Sequence, residues 1–185
     1  PGHHAVQALA VFGDRLYAGT EHLLTRLDPI SRQRFYDSEG AQLWRSADGQ
    51  AWETVAQGGL GQKNNSGVAS LAAFKGRLYA GTRVIDQRTP AELWRSASGA
   101  AGDWQRVRID LFSRSDWTRI FSISAMTEYS GTLLAGTCSG PRAQVWRSDN
   151  GDQWRAVGQL APDADPRDAD AGLGSGGAVC VTSFA

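Results

Sequence analysis

The feature that most constrains this chain is a sequence motif that occurs three times. Each copy opens with a segment that ends in A-G-T: AVQALAVFGDRLYAGT (5–20), GVASLAAFKGRLYAGT (67–82) and SISAMTEYSGTLLAGT (122–137). Each continues with a W-R-S segment: AQLWRSADGQAWETV (41–55), AELWRSASGAAGDWQRV (91–107) and AQVWRSDNGDQWRAV (143–157). A further copy begins as AVCVTSFA (178–185). Because internal repeats of this length indicate stacked supersecondary units, the fold is predicted to consist of one repeated element.

Each copy is predicted to form four strands. A run of small residues ending in an aromatic forms the first strand, and LYAGT or LLAGT forms the second. The two are joined by a two-residue glycine turn, as tight hairpins require: Gly13-Asp14, Lys75-Gly76 and Ser130-Gly131. The A-x-[LV]-W-R-S run forms the third strand, and the fourth starts at Trp52, Trp104 or Trp154. No segment has a 3.6-residue apolar period, so helix content should be very low.

Four-stranded antiparallel units at this spacing indicate β-propeller blades. The predicted fold is all-β: a β-propeller segment of three four-stranded antiparallel blades plus the inner strand of a fourth. The predicted boundaries are 5–66 for blade 1, 67–121 for blade 2, 122–177 for blade 3 and 178–185 for the inner strand of an incomplete blade 4.

The turn WRSADGQAW (44–52) has a distinctive order of Ser, Asp, Gly and Trp. A Ser or Asp side chain there caps backbone N–H groups, Gly takes a positive φ, and Trp fills the space between blades. This turn resembles the Asp-box, or BNR, repeat of β-propellers, although blade 2 has Ser98 at the Asp position and two inserted residues before Trp104. In that family the box is structural, so the resemblance implies turn-stabilising roles for Ser46, Asp48, Ser148 and Asn150.

The in-frame tryptophans are predicted to be core residues: Trp44, Trp52, Trp94, Trp104, Trp146 and Trp154. Three of them precede an arginine (Arg45, Arg95 or Arg147), so we expect guanidinium–indole stacking between blades.

Charge and cysteine content limit the partners and the compartment. Nineteen basic and nineteen acidic residues give a formal net charge of zero, which argues against a nucleic-acid or membrane-surface partner.

Cys138 and Cys180 lack zinc-ligand spacing. Both are predicted to lie close together on neighbouring blades, where a disulfide can form in an oxidising compartment. We therefore expect a secreted, periplasmic or cell-surface protein.

The connections between strands indicate where function resides. Strand 2-to-3 and strand 4-to-1 connections share one edge of a propeller, here called the long-loop rim, and they are long: 21–40, 56–66, 83–90, 108–121, 138–142 and 158–177. The connections at the opposite edge are minimal. Because binding residues concentrate on long loops of rigid scaffolds, ligand contacts are predicted on the long-loop rim.

The predicted ligand-binding residues are Trp117, Arg114, Asp116, Arg119, Tyr36 and Arg83. Trp117 is the tryptophan outside the repeat frame, and an indole beside Arg and Asp supplies the apolar platform and charged hydrogen bonds of a sugar or peptide site. Two alternatives are that Trp117 covers the end of the core and that 21–40 is a solvated insertion. No catalytic residue is assigned.

Two places in the sequence carry candidate metal ligands, and no cofactor is expected. Four carboxylates crowd one loop and supply oxygen ligands of the kind calcium prefers: Asp163, Asp165, Asp168 and Asp170. That loop lacks the D-x-D-x-D-G pattern, so a solvated acidic loop is expected. Three histidines are also candidate ligands, but His3 and His4 sit next to the chain terminus, which is expected to fray.

The predicted function is non-catalytic recognition of a glycan or protein partner by the long-loop rim. The alternative is a glycoside hydrolase, sialidase-like or xyloglucanase-like as the Asp-box resemblance implies, with two carboxylates on the same rim. Its candidate acids are Asp37, Asp86, Asp116 and Asp163. A third possibility is a purely structural half of a propeller.

Three blades and one strand do not close a ring, and an open arc exposes an apolar face at each end. A second polypeptide or a further chain segment is therefore expected to complete the propeller. A homodimer of three plus three blades is the alternative, although strands 5–12 and 179–184 would then compete for one position.

Overall fold

The structure, a computed structural model, describes residues 5–85, 89–109, 120–139, 143–160 and 179–180. Blade 1 contains β1 (Ala5–Phe12), β2 (Arg15–Glu21), β5 (Leu43–Ser46) and β6 (Glu53–Ala56), with the hairpin β3 (Leu24–Leu27) and β4 (Arg34–Asp37) between β2 and β5. Blade 2 contains β7 (Asn65–Phe74), β8 (Arg77–Val84), β9 (Leu93–Ser96) and β10 (Gln105–Val107). Blade 3 contains β11 (Ile120–Tyr129), β12 (Thr132–Ser139), β13 (Ala143–Ser148) and β14 (Arg155–Leu160), and β15 (Val179–Cys180) follows.

The four strands of each blade pair antiparallel in chain order. Successive blades touch where the second strand ends, since Glu21 pairs with Gly67 and Arg83 pairs with Ser122. Within the described residues the secondary structure is strand and turn, and none of these residues belongs to a helix long and apolar enough to cross a membrane. The predicted all-β architecture of four-stranded antiparallel blades is confirmed.

The glycine turns between the first two strands of each blade have the predicted two-residue form. In blade 2, Lys75 and Gly76 both have positive φ (46° and 70°), and in blade 3 Ser130 and Gly131 do (49° and 75°). Positive φ at both central residues defines a type I′ turn, whose twist matches that of the flanking strands. In blade 1 the first central residue, Gly13, has a positive φ (62°), and the second, Asp14, does not have a positive φ. This combination fits a type II′ turn.

The A-G-T sequence at the end of the second strand allows neighbouring blades to pack closely. A Cβ on Gly19 would lie 2.6 Å from Val68 Cγ1, and one on Gly81 would lie 2.8 Å from Ile123 Cβ. The glycine therefore lets the inner strand of the next blade approach closely. The threonine that follows binds the third strand of its own blade, as Thr20 Oγ1 does by donating to the Gln42 carbonyl at 3.2 Å.

Two hydrophobic clusters lie between successive blades. The first joins Tyr17, Leu43 and Val55 of blade 1 to the facing side chains of blade 2, including Leu71 and Leu78. The second joins the other face of blade 2 to blade 3: Phe74, Tyr79, Leu93, Val107, Ile123, Leu133, Trp146 and Trp154. Each blade therefore contributes one face to each neighbour, as stacked repeats do.

The prediction that all six in-frame tryptophans are core residues needs correction. Trp146 and Trp154 are buried between blades 2 and 3. Trp94 and Trp104 are partly buried against the cluster between blades 1 and 2. Trp44 and Trp52 of blade 1 are only half-buried. The same motif positions are therefore buried in blade 3 and half-buried in blade 1, because burial depends on the blade packed against that face.

The predicted guanidinium–indole stacking is wrong. Each of the three arginines pairs with a carboxylate: Arg45 with Glu53, Arg95 with Asp152 and Arg147 with Asp149. Among the described residues the cation–π contact is instead Lys75 over the Phe74 ring, at 5.3 Å from the centroid. A charged partner within reach gives a guanidinium directed hydrogen bonds that an indole face lacks.

The Ser and Asp side chains of the 44–52 turn cap its backbone as predicted. Ser46 Oγ accepts from Gly49 N at 2.8 Å, and Asp48 Oδ1 accepts from Gln50 N and Ala51 N at 2.8 and 2.9 Å. The hydrogen bonds to Asp48, that from Gln50 N first, lower the pKa of its carboxyl. In blade 3, Ser148 Oγ accepts from Gly151 N at 2.7 Å. Asn150 Oδ1 there accepts two amides at 2.9 Å.

Blade 2 closes the same turn with a carboxylate from its insertion. Asp103 Oδ2 accepts from Ser96 Oγ at 2.7 Å, from Ser98 N at 2.7 Å and from Ser98 Oγ at 2.8 Å. These hydrogen bonds, the one from Ser96 first, lower the pKa of Asp103 to about 2. Asp103 thus supplies the acid that is absent at position 98.

The connection 21–40 was expected to be a long loop of the rim, and the structure corrects this. It forms the hairpin β3–β4, with Thr25 opposite Tyr36. Asp28 Oδ1 closes the turn by accepting from Ile30 N at 2.9 Å and Ser31 N at 2.6 Å, and hydrogen bonding from Ser31 lowers the pKa of Asp28.

The two cysteines meet at the end of blade 3. Cys138 is buried in β12 and is disulfide-bonded. Its Cα partner across the β12–β15 ladder is Cys180, the other cysteine of the chain. Antiparallel ladder partners have Cα atoms within about 5.5 Å, so the predicted close approach is confirmed.

Candidate functional site

Many of the predicted site residues lie outside the described residues. They are Trp117, Arg114, Asp116 and Arg119 of the predicted binding set, the acids Asp86, Asp163, Asp165, Asp168 and Asp170, and His3 and His4. Tyr36, Arg83 and Asp37 lie within the described residues, as does His22, and the site is built from this part of the long-loop rim.

A groove of about 350 Å³ opens on the long-loop rim beside Tyr36. Its lining comes from the end of the β3–β4 hairpin, the connection before β7 and the connection after β8: Tyr36, Asp37, Ser38, Lys63, Asn64, Ile85 and Thr89. We call it the Tyr36 groove. Its volume falls within the range of small-molecule sites, and its lining combines one aromatic ring with several polar groups.

A buried histidine fixes the hairpin that carries Tyr36. His22 N donates to the Ser66 carbonyl at 2.8 Å, which joins the start of the hairpin to β7. His22 Nδ1 accepts from Glu39 N at 3.0 Å, and Ser38 Oγ donates to the His22 carbonyl at 2.6 Å. Since His22 and Ser38 are both buried, the base of the hairpin is anchored although its strands are exposed.

The opposite wall of the Tyr36 groove is held by Asn64. Its Nδ2 donates to Thr89 Oγ1, and its carbonyl accepts from Ile85 N at 3.0 Å. The connection before β7 is thereby joined to the connection after β8. The groove wall is consequently shared between blades 1 and 2.

Two ionisable residues line the Tyr36 groove, the acid Asp37 and the base Lys63. Asp37 Oδ2 lies 3.6 Å from Arg26 Nη2 across the hairpin, and Asp37 Oδ1 accepts from Ser38 N at 2.8 Å. Lys63 is exposed. A neutral, hydrogen-bonding lining of this kind suits a polar uncharged ligand better than a strongly charged one.

A second groove of about 300 Å³ lies on the other side of Lys63. We call it the Glu39 groove, and it is lined by Glu39, Gly40, Gln42, Gln57, Gly58 and Lys63. Lys63 is therefore shared by both grooves. Lys63, Asn64 and Thr89 were not among the predicted site residues. The one sequence signal for them is that Lys63 is one of two lysines in the chain.

Arg83 does not join Tyr36 in one site. Arg83 Nη1 lies 3.3 Å from Glu21 Oε1, and Gln7 Nε2 donates to Glu21 Oε2 at 2.9 Å. Gly67 lies between the two charged residues, since a Cβ there would be 3.4 Å from Arg83 Cβ. Arg83 thus pairs with Glu21 near the ends of the second strands β8 and β2, and it does not line the Tyr36 groove. Arg83 and Tyr36, which were predicted to act together, are therefore separate.

A buried polar network supports this region of the rim. Asn65 Nδ2 donates to the Gly59 carbonyl at 2.9 Å and to Glu92 Oε2 at 2.8 Å, and Thr82 Oγ1 donates to Asn65 Oδ1 at 3.1 Å. Glu92 is itself buried and pairs with Arg106 at 3.1 Å. Both carboxylate oxygens of Glu92 therefore have partners. Because a buried carboxylate is stabilised by such partners, Glu92 acts here as a structural residue.

The described residues contain no group of three or more His, Cys, Asp or Glu side chains arranged to hold a metal ion. The acidic loop considered for calcium lies outside them.

The comparisons with known proteins concern the fold. No family model and no curated protein matches the sequence. The structure is similar to that of Zg3597, a family 117 glycoside hydrolase from Zobellia galactanivorans, with a TM-score of 0.52 and 14% identity over 80% of this chain and 53% of that chain. It is also similar to a sucrose-6-phosphate hydrolase from Lactobacillus gasseri, with a TM-score of 0.50 and 11% identity over 88% of this chain and 37% of that chain.

A protein of unknown function from Dyadobacter fermentans is similar as well, with a TM-score of 0.50 and 15% identity over 82% of this chain and 50% of that chain. The fold is a β-propeller segment. This chain spans from about a third to about half the length of these structures. The resemblance of its turns to the Asp-box repeat stays a prediction.

Proposed function

We propose that the long-loop rim binds a glycan, without cleaving it, in the Tyr36 groove. The observation that carries the proposal is Tyr36, a residue 41% exposed in a groove that Asp37, Lys63 and Asn64 also line. Sugars present apolar C–H faces that pack on aromatic rings and hydroxyl groups that bind carboxylates, amines and amides. Two of the similar structures carry the names of carbohydrate-cleaving enzymes, which supports a carbohydrate ligand.

The non-catalytic role is supported by the distribution of carboxylates in the two grooves. Among the described residues, Asp37 is the carboxylate of the Tyr36 groove and Glu39 that of the Glu39 groove. Hydrolysis of a glycosidic bond needs two carboxylates across the scissile bond, about 5 Å or 6.5–9.5 Å apart. Asp37 is already paired with Arg26. The alternative stays a glycoside hydrolase that uses acids of the same rim.

The disulfide at Cys138 supports an oxidising compartment. We propose that the protein acts in the periplasm, outside the cell or at the cell surface, where glycans are accessible.

The test is glycan binding by the full chain, with two aromatic variants of the same strand. After a glycan array has selected a ligand, Tyr36→Ala should weaken its affinity about tenfold by calorimetry, since the aromatic platform is lost. Phe35→Ala is the matched control, because successive residues of β4 point to opposite faces and Phe35 does not line the groove. Equal effects of both substitutions, or no binding to any glycan, would contradict the proposal.

A further inference from the structure

One face of blade 1 is apolar and exposed. Leu9 is 67% exposed and Leu16 is 37% exposed, and Val6 and Val11 are exposed beside them. In blade 2 the residues at the positions of Leu9 and Leu16 are Leu71 and Leu78, which are 8% and 0% exposed. The residue types are the same in both blades, so the difference lies in what covers them.

In blade 2 this face is covered by blade 1. Leu71 and Leu78 belong to the same cluster as Tyr17, Leu43 and Val55, with Phe12 packed against it. Blade 3 repeats the arrangement, where Leu133 is packed with Phe74, Tyr79 and Leu93 of blade 2. The face is therefore a blade-binding surface wherever a preceding blade is described.

At each of these contacts between blades, a tyrosine hydroxyl of one blade lies against a turn of the next blade. Tyr17 Oη of blade 1 donates to the Ser98 carbonyl in the turn of blade 2 at 3.4 Å. A Cβ on the next residue, Gly99, would lie 2.1 Å from that hydroxyl oxygen. In blade 3 a Cβ on Gly151 would lie 1.9 Å from Tyr79 Oη. The tyrosine of one blade thus lies directly on the turn glycine of the next.

The corresponding glycine of blade 1 is Gly49. A Cβ at Gly49 would meet, among the described residues, only Leu16 Cδ1 at 3.5 Å. The turn itself has the same capping bond from glycine N to serine Oγ as in the other blades. The surface that receives a tyrosine hydroxyl in blades 2 and 3 is therefore formed in blade 1, where no tyrosine of the described residues occupies it.

We infer that this blade 1 face, formed by Leu9, Val11, Leu16, Gly49 and Trp52, seats a further blade of the same repeat that carries tyrosine on its second strand. Its second strand would place the tyrosine hydroxyl on the Gly49 turn, and its aromatic and aliphatic side chains would cover Leu9 and Leu16. The inference is independent of the proposed glycan site, which lies on the long-loop rim.

A second copy of this chain is a poorer occupant for two reasons. The outer face of its blade 3 has Leu134 at the position of Tyr17 and Tyr79, and leucine has no hydroxyl. In addition, the end of β12 already pairs with β15, in the position that β7 takes on β2. The first strand of a second copy would need that same position.

The test adds a blade to the full chain. A copy of residues 5–66 is fused ahead of Ala5, which keeps the repeat spacing and brings a tyrosine to the Gly49 turn. Leu16→Cys in the original blade 1 reports coverage through its rate of reaction with a thiol reagent under non-reducing conditions. We expect reaction at least about tenfold slower in the fusion than in the unfused chain, because the added blade must open first.

Two controls make the outcome specific. Val157→Cys, at a half-exposed residue on the outer face of blade 3, should react equally fast in both proteins. Tyr17→Leu in the added copy alone should restore part of the reactivity of the Leu16→Cys thiol. Equal reactivity of that thiol in the fused and unfused chains would overturn the inference, whether the added blade is folded elsewhere or unfolded. Concentration-dependent protection in the unfused chain would also overturn it, since the occupant would then be a second copy.

Discussion

One Asp or Asn side chain helps to close each repeat turn, and in blade 3 it is the amide of Asn150. In blade 1 the acid is Asp48, within the S-x-D-G order. In blade 2 that position is Ser98, and Asp103 reaches back from the two-residue insertion to bind Ser96 and Ser98. The sequence has Ser98 at the Asp position of blade 2, and the structure shows that another acid, Asp103, caps that turn instead.

Asp103 should make stability depend on pH in the acidic range. Hydrogen bonds lower its pKa to about 2 from the ordinary value of 3.8, so its contribution to the free energy of unfolding is present above about pH 4 and is lost as the pH falls from 4 to 2. Thermal unfolding measured from pH 2 to 6 should show a smaller loss of Tm on acidification for Asp103→Asn than for the wild type. Asp14→Asn, at an exposed turn residue, should show the same dependence of Tm on pH as the wild type. If Asp103→Asn also showed that dependence, Asp103 would not be the acid that stabilises the blade 2 turn.

Two turn glycines should differ in their tolerance of a side chain. Gly99 and Gly49 both have positive φ, at 67° and 76°, so alanine costs about 1–2 kcal/mol of strain at either position. At Gly99 the Cβ also meets the Tyr17 hydroxyl at 2.1 Å, which should add about 1–3 kcal/mol of overpacking. Urea unfolding should therefore show Gly99→Ala to be the more destabilising variant, and equal losses would show that the tyrosine contact does not constrain the turn.

Strands could be predicted from the sequence where their side chains pack between blades. LYAGT is recognisable because its small residues and glycine are required by the next inner strand, as the Gly19–Val68 contact shows. The β3–β4 hairpin was missed because both of its strands are exposed, so no alternation of apolar residues marks them. The Tyr36 groove could not be predicted as a whole. Tyr36 was selected as an aromatic residue in a long connection, but Lys63, Asn64 and Thr89 come together only through hydrogen bonds between connections.

Burial of the in-frame tryptophans should control their energetic importance. Trp154 is buried between blades 2 and 3, so Trp154→Ala should cost about 3–5 kcal/mol in the free energy of unfolding. Trp52 occupies the same motif position but is only half-buried, and its replacement by alanine should cost less than half as much. Chemical denaturation of both variants checks this, and a similar loss at both positions would mean that Trp52 is covered in solution.

At the scale of the whole molecule, the disulfide at Cys138 fixes β15 beside blade 3. Its reduction, or Cys138→Ser, should lower the free energy of unfolding by about 2–4 kcal/mol, because the unfolded chain regains the entropy of the opened loop. Denaturant unfolding with and without reductant measures the effect. Blade 1 is far along the chain from the cross-link, so the Gly49→Ala penalty should be the same in both conditions, and no stabilisation by the disulfide would contradict this account.

The central claim is that a propeller segment with one anchored groove on its long-loop rim binds a glycan and leaves it intact. The most direct measurement is mass spectrometry of the selected glycan after prolonged incubation with a stoichiometric amount of the full chain, with binding confirmed in the same sample by calorimetry. The account predicts that the bound glycan is recovered at its original mass, and that Asp37→Asn leaves this recovery unchanged. Release of shorter products by the wild-type chain, abolished by Asp37→Asn, would contradict the claim and identify the rim as the site of a hydrolase.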